Sequence, residues 1–570
     1  MVARYLVAPY GGRRAHPDIT SALAAAARRG RPALIEIEAG RYDEQLTVRG
    51  DVQLVAKGGP GSVVVGRASG PALEAVGGSV RVHGLVLVGR DTDVVGCTAG
   101  ALTLERTEVR APGAVCLYAR TGTTVTLRDS TFLNGRVLFE GAGGLVERCR
   151  FTDADNNGLV ALAGARLSVR DSRFEGAEVH GVRVSGAWAE VTGCELTGTG
   201  LAAVMADTQA RLMVADCVIS DVRTDGIAYV ERSGGSVDRT RVDGAEHGIA
   251  VTSGADPVVR GCAFVGCRDT GINVRTAGRG RFEHCEVVEA GNVAVHVTEA
   301  GAPEVLDCRV TRGNVGVAVV EAARGRFGRL RIEDLTSVAL RVTGGGKAVF
   351  EQVTVERCPT HLETQGDGGT TAEVTGAVLR DFSMSAVETL GRSRVTLRGV
   401  SAERGMVGFA AAEESQLFVY DCDVRAVSVG GAAAMGKGRL VARNLTVTDS
   451  EGIGLLTRES ARVDVADSEF ADCETAGAAF QGMSAGRFAD CAVTGTRGLG
   501  VLHNGLVELT SLRTSLRIVK QEPEPEPQPT IVHHHQHGPV INGPVSRTQF
   551  IWGNGHVNQR QINEEGASDE

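Results

Sequence analysis

Residues 280–302 read GRFEHCEVVEAGNVAVHVTEAGA, and residues 303–325 read PEVLDCRVTRGNVGVAVVEAARG. Laid one above the other they are two copies of one unit, with Cys285 falling on Cys308. Each holds short alternating apolar stretches broken by Gly, Asn and charged residues. In the second unit these are 305–310, 315–319 and the run leading to Phe327. Alternation with period two, rich in Val and poor in helix formers, predicts strands. Gly or Asn at the breaks supplies the positive φ that tight bends require.

The unit recurs along most of the chain. Cys149, Cys194, Cys217, Cys262, Cys285, Cys308, Cys422 and Cys491 are separated by 45, 23, 45, 23, 23, 114 and 69 residues, multiples of about 23. Ser130, Ser172 and Ser468 fill the same slot in other copies. A fixed period of this size marks a solenoid, whose repeats bury their apolar faces by stacking on one another. Three strands per turn predict an all-β, right-handed parallel β-helix rather than a leucine-rich repeat. Some 21 coils between about 33 and 519 give a rod roughly 100 Å long at ~4.8 Å per coil.

The cysteines then form an interior ladder of small, nearly apolar side chains. No CxxC pair occurs, so neither a metal nor another cofactor is expected. Residues 1–7 lack the apolar core of a secretory signal, and no apolar run approaches membrane-spanning length. With 13 cysteines, an odd number, the expectation is a cytoplasmic protein with reduced thiols. Net charge is −9 and no basic stripe interrupts the pattern, so nucleic acid is not an expected partner.

The open end of such a rod needs a cap. Residues 18–29, DITSALAAAARR, predict a capping helix with Asp18 as N-cap and Gly30 as its stop. The helix, then a strand, then Ala-Gly-x-Tyr-x-Glu at 39–44 resemble the opening of pectin-lyase-like β-helix proteins. That resemblance implies the fold of about 500 residues, and many members act on acidic polysaccharides. Their chemistry is not evident here. The chain has no Asp-Asp pair, and 179–181 (Val-His-Gly), 246–248 (Glu-His-Gly) and 517–520 (Arg-Ile-Val-Lys) match the Gly-His-Gly and Arg-Ile-Lys motifs poorly. Asp129, Asp171, Asp216, Asp307, Asp421, Asp467 and Asp490 precede the Cys/Ser slot coil after coil, a periodic recurrence that argues for structure.

One constellation remains as a catalytic candidate. Asn157, His180, Asp225, His247 and Thr270 each stand one residue before a glycine. Asp225 and His247 would lie on adjacent coils about 5 Å apart. An Asp beside a His can act as base and orienter, and equally both types favour corners. The GxxxxGK at 431–437 is followed by Gly438, where a phosphate loop needs Ser or Thr.

Beyond 519 the composition changes. Residues 520–530, KQEPEPEPQPT, predict a stiff, extended polyproline spacer. Four histidines (His533, His534, His535, His537) follow it and are too local for a catalytic metal site. From 540 to 562 the segment interleaves Ile541, Val545, Ile551 and Val557 with Asn542, Gln549, Asn554 and other amides. Gly543, Gly553 and Gly555 permit turns, and the segment carries two Arg and one Trp, Trp552. Stacked between chains, such a segment forms amide ladders and dry apolar zippers.

Gln549-Phe550-Ile551-Trp552-Gly553-Asn554-Gly555 resembles the RHIM-like amyloid signalling motifs at chain ends of bacterial proteins, many from actinobacteria. Three residues separate Gln549 from Gly553 where the animal motif has one. The resemblance implies homotypic self-assembly and a partner such as a NOD-like signalling ATPase with a matching motif. The organisation is thus 1–32 strand and cap, 33–519 β-helix, 520–530 spacer and 531–570 a disordered tail with the assembly motif. Two functions stand: a non-enzymatic scaffold in prion-like defence or cell-death signalling, and a polysaccharide lyase or hydrolase.

Overall fold

The computed structural model describes residues 2–9, 15–67 and 69–521. Its chain winds through about 21 turns of parallel β-solenoid. A representative turn contains strands Arg281–Glu283, Glu286–Val288 and Val293–Val297. Each pairs in parallel with its counterpart one turn on: Phe282 opposite Val305, Val287 opposite Val310, Val295 opposite Val317. The strands stack into three ladders, called here the first, second and third sheets. Their inward side chains build one continuous core, in which Phe132, Phe151 and Phe174 stack at 5.0 and 4.5 Å between centroids.

The corner between the first and second sheets is left-handed in turn after turn. Asp129, Asp171, Asp216, Asp307, Asp421, Asp467 and Asp490 have φ between 48° and 56°. Asp tolerates this region better than most side chains. Neighbouring turns place Arg at the same corner, and Arg148, Arg239 and Arg329 grip Asp129, Asp216 and Asp307 with two N–H groups each. The recurrent aspartates are therefore corner residues.

The residue after that corner explains why Cys and Ser exchange. Its backbone N–H donates to the side chain of the same slot one turn on: Cys149 N to Ser172 Oγ at 3.1 Å, Cys194 N to Cys217 Sγ at 3.4 Å, Leu445 N to Ser468 Oγ at 3.2 Å. A small side chain carrying an acceptor relieves a buried donor that the bend removes from the ladder. All 13 cysteines are buried and free.

The cap is the helix Ile19–Arg29. Asp18 accepts from Ser21 N at 2.7 Å, and Gly30 closes the helix at φ 59°. Glu44 reaches the same N-terminus, accepting from Ile19 N and Thr20 N. The helix seals the core with Ile19, Ala22, Leu23 and Ala26.

Two details differ from the sequence reading. Strand Ala3–Val7 pairs with Ala33–Ile37, so the ladder begins before the cap rather than after it. The apolar stretch 305–310 is cut by the Asp307 corner, and Arg309–Val319 instead runs through the next corner as one strand.

Candidate functional site

The third sheet has an outer face on which several small side chains are buried. Ile227, Tyr229, Ile249 and Val251 point into the core, while Ala228 and Ala250 between them point out. These outward alanines are nonetheless buried, as are Ala318, Ala410 and Ala433 further along. Val293, Val315 and Ala318 form one apolar cluster apart from the core, and Val407, Ala410 and Ala433 another. Polar groups on this floor are therefore partly desolvated, which strengthens their mutual interactions and perturbs their protonation.

The first polar group of this kind contains three of the residues singled out in the sequence. Asp225 and His247 face one another in register, and Thr270 follows His247. Burial raises the Asp225 carboxyl, and the charges of His247 and Arg275 oppose that shift. His247 Nδ1 has no hydrogen bond and lies 3.6 Å from Asp269 Oδ2, which also accepts from Thr270 Oγ1.

His180 is not part of this group. Ala202 occupies its position on the next turn and interrupts the expected polar ladder before Asp225. The His180 ring instead accepts from Ala202 N through Nδ1 at 3.1 Å, and burial lowers its proton affinity. It braces the backbone.

Asn273 and His296 pair in register, three residues along the strand from the His247–Thr270 position. Asn273 Oδ1 is buried without a partner, and burial lowers the His296 pKa. Sequence reasoning passed over both, because it searched the position before glycine. A polar residue at the outward phase of an otherwise apolar strand was the available signal.

The second group was not legible in advance. Arg341, Glu363 and Glu388 occupy the floor position on three successive turns. Arg341 Nε donates to Glu363 Oε1 at 3.1 Å. Glu388 is 6% exposed, has no such cation, and is pushed up to about 7 by burial and then by Glu363 and Glu413. Glu388 thus has a raised proton affinity and faces a carboxyl that is ion-paired with Arg341. Among the described residues, no group of three His, Cys, Asp or Glu is placed to hold a metal ion.

Gly431 closes no phosphate loop: it lies within strand Gln416–Ala434, and Lys437 sits at the turn beyond, 3.7 Å from Glu414. The assembly residues Ile541, Asn542, Gly543, Val545, Gln549, Phe550, Ile551, Trp552, Gly553, Asn554, Gly555 and Val557 lie outside the described residues.

These ladders, corners and capped end define a right-handed parallel β-solenoid. The chain belongs to the family described as right-handed β-helix region, whose model matches residues 180–333 and 324–511. No curated protein matches it. It is similar to ORF18 of Geobacillus virus E2, with 12% identity over 47% of this chain and a TM-score of 0.28. The match spans 56% of the viral chain, about half its length. It is also similar to the PL6 family alginate lyase AlyGC (10% identity, 91% of this chain, 100% of that one, TM-score 0.29). A third match is the family 28 exopolygalacturonase of Yersinia enterocolitica (11% identity, 70% of this chain, 76% of that one, TM-score 0.24). Among the described residues no helix is long and apolar enough to cross a membrane.

Proposed function

We propose that the chain is a scaffold without catalytic activity: a stiff β-helix bearing, beyond a Pro/Glu spacer, a segment that polymerises with copies of itself. The observation that carries this reading is the sequence of 540–562. Its β-branched residues alternate with amides and its fixed charges are few, the composition that favours in-register stacking. The Pro/Glu spacer separates the segment from the β-helix in the sequence. The output is prion-like signalling in defence or regulated cell death, within the cytoplasm, with a NOD-like ATPase bearing a matching motif as the partner.

The test uses the full chain at neutral pH. Thioflavin fluorescence, seeded growth and a ~4.8 Å fibre reflection are expected. Gln549→Ala combined with Ile551→Asp should abolish all three and leave the rod's circular dichroism unchanged. A wild-type chain that stays soluble and unseedable at high concentration overturns the proposal.

A second reading rests on Glu363 and Glu388. At neutral pH a protonated Glu388 can give its proton to a glycosidic oxygen while the Glu363 carboxylate attacks the anomeric carbon. Water then cleaves the glycosyl ester, and its proton returns to Glu388. This is polysaccharide hydrolysis, with adjacent strands setting the carboxyls about 5 Å apart at the backbone. Hydrolysis of a panel of oligosaccharides that disappears in Glu363→Gln and in Glu388→Gln would favour it over the scaffold. Absence of hydrolysis in the wild type would remove it.

A further inference from the structure

The outer face of the first sheet carries an unbalanced positive charge near the C-terminal end of the rod. Elsewhere on this sheet many Arg side chains are tied to carboxylates on the same or a neighbouring turn, as in Arg260–Glu283, Arg281–Glu283 and Arg326–Glu351; Arg166, Arg211 and Arg324 are exceptions scattered along the rod. Between strands Arg394–Arg398 and Arg462–Ala466 that pattern fails. Arg439 and Arg462 stand directly in register, both exposed, and have no carboxylate partner among the described residues. Two turns earlier, Arg394 lies over the Phe418 ring at 5.6 Å and Arg398 over the Tyr420 ring at 4.5 Å. The acidic groups on this face are few: Asp464 is held by Arg443 at 2.8 Å, Glu373 lies one turn before Arg394, and Glu508 one turn beyond Arg487. No basic stripe was expected from the sequence, because the winding gathers residues that stand one turn apart.

We propose that this face is the docking site of the chain's own spacer, residues 522–530. Three observations support that occupant. The first is charge: Glu522, Glu524 and Glu526 alternate with prolines, and the protein as a whole is acidic, so the basic face opposes its surroundings. The second is chemistry. Proline-rich extended segments dock on aromatic surfaces, and here Phe418 and Tyr420 are flanked by arginines suited to the intervening glutamates.

The third is position and reach. The last strand, Ile518–Lys520, extends the third sheet by pairing with Leu499–His503. The next corner of the winding leads onto the first sheet, so Gln521, where the described residues stop, stands close to this face. Four turns separate Phe418 from the final strand of the first sheet, Val507–Thr510. That is about 19 Å along the axis, and the nine residues of an extended spacer span about 28 Å. Docked there, the spacer pins the tail along the rod. The docking itself does not depend on the assembly reading above.

The test places spin labels on the full chain at Thr375→Cys, exposed at the far end of the same face, and at Gln528→Cys. The native cysteines are buried and do not compete for label. Pulsed dipolar spectroscopy at low salt should give a narrow distance distribution below about 30 Å, set by the spacer's reach. Arg439→Glu with Arg462→Glu should broaden it and move it outward, as should 1 M salt, with unchanged circular dichroism. A broad distribution in the parent chain overturns the proposal, as does a short distance that survives charge reversal. A short distance seen only between differently labelled chains overturns docking within one chain.

Discussion

Glu388 lies directly opposite Glu363 on the third sheet, and only Glu363 is held by a cation, Arg341. One carboxyl is ion-paired and the other, buried beside it, is not. The consequence is a protonation that responds near neutral pH.

Glu388 is raised to about 7 from an ordinary value of 4.5. A carboxyl raised on folding costs nothing while protonated in both states, below pH 4.5. Its penalty grows as pH climbs to about 7 and is constant above, amounting to at most about 3 kcal/mol. Glu388→Gln should therefore raise the melting temperature at pH 8 and leave it little changed at pH 4.5. Thermal scans of both proteins across that range would check this; a difference independent of pH would refute it.

His361 makes the opposite prediction. It occupies a slot that is Ala339 on the preceding turn and Ala386 on the next, is fully buried, and both ring nitrogens lack partners. Its ring meets Phe382 edge-on at 5.3 Å, and burial holds its pKa at about 3. The fold has its full stability above pH 6.5 and loses about 1.4 kcal/mol per pH unit as pH falls from there towards 3. His361→Phe should shift acid unfolding to lower pH and raise stability at pH 7 by about 1–3 kcal/mol. Fluorescence-monitored acid titration and urea melts read both effects.

The left-handed corners predict a substitution pattern. Asp307, at φ 56°, should tolerate Gly, whereas Asp307→Val should cost about 1–2 kcal/mol through backbone strain. Urea denaturation of the two variants separates this strain from loss of the Arg329 pair, which both variants share.

The thiols should be inert in the folded protein. All 13 are buried, and burial pushes Cys116 up to about 12. A thiol reagent at pH 8 should find almost no sites natively and all of them in denaturant. Rapid native reaction of several thiols would mean that the ladder opens.

The repeat, the cap and the Cys/Ser ladder were legible in the sequence because each is a local event repeated in register. A bend needs positive φ, the next residue needs a small acceptor, and every turn repeats the demand, so Asp, Cys and Ser recur with the winding. The Asp225–His247 adjacency was legible for the same reason. His180 was misplaced because Ala202 stands in the intervening turn, and a spacing of 45 residues does not reveal what fills the gap.

The floor of the third sheet and the basic face of the first belong to the tertiary structure. Whether Glu388 is a solvated side chain or a buried acid depends on walls contributed by other turns. Whether Arg439 is paired depends on neighbours some 23 residues away on either side. The sequence alone determined the period, and with it the number of turns. Only the winding decided which outward residues meet, because contacts across a solenoid follow stacking rather than proximity along the chain.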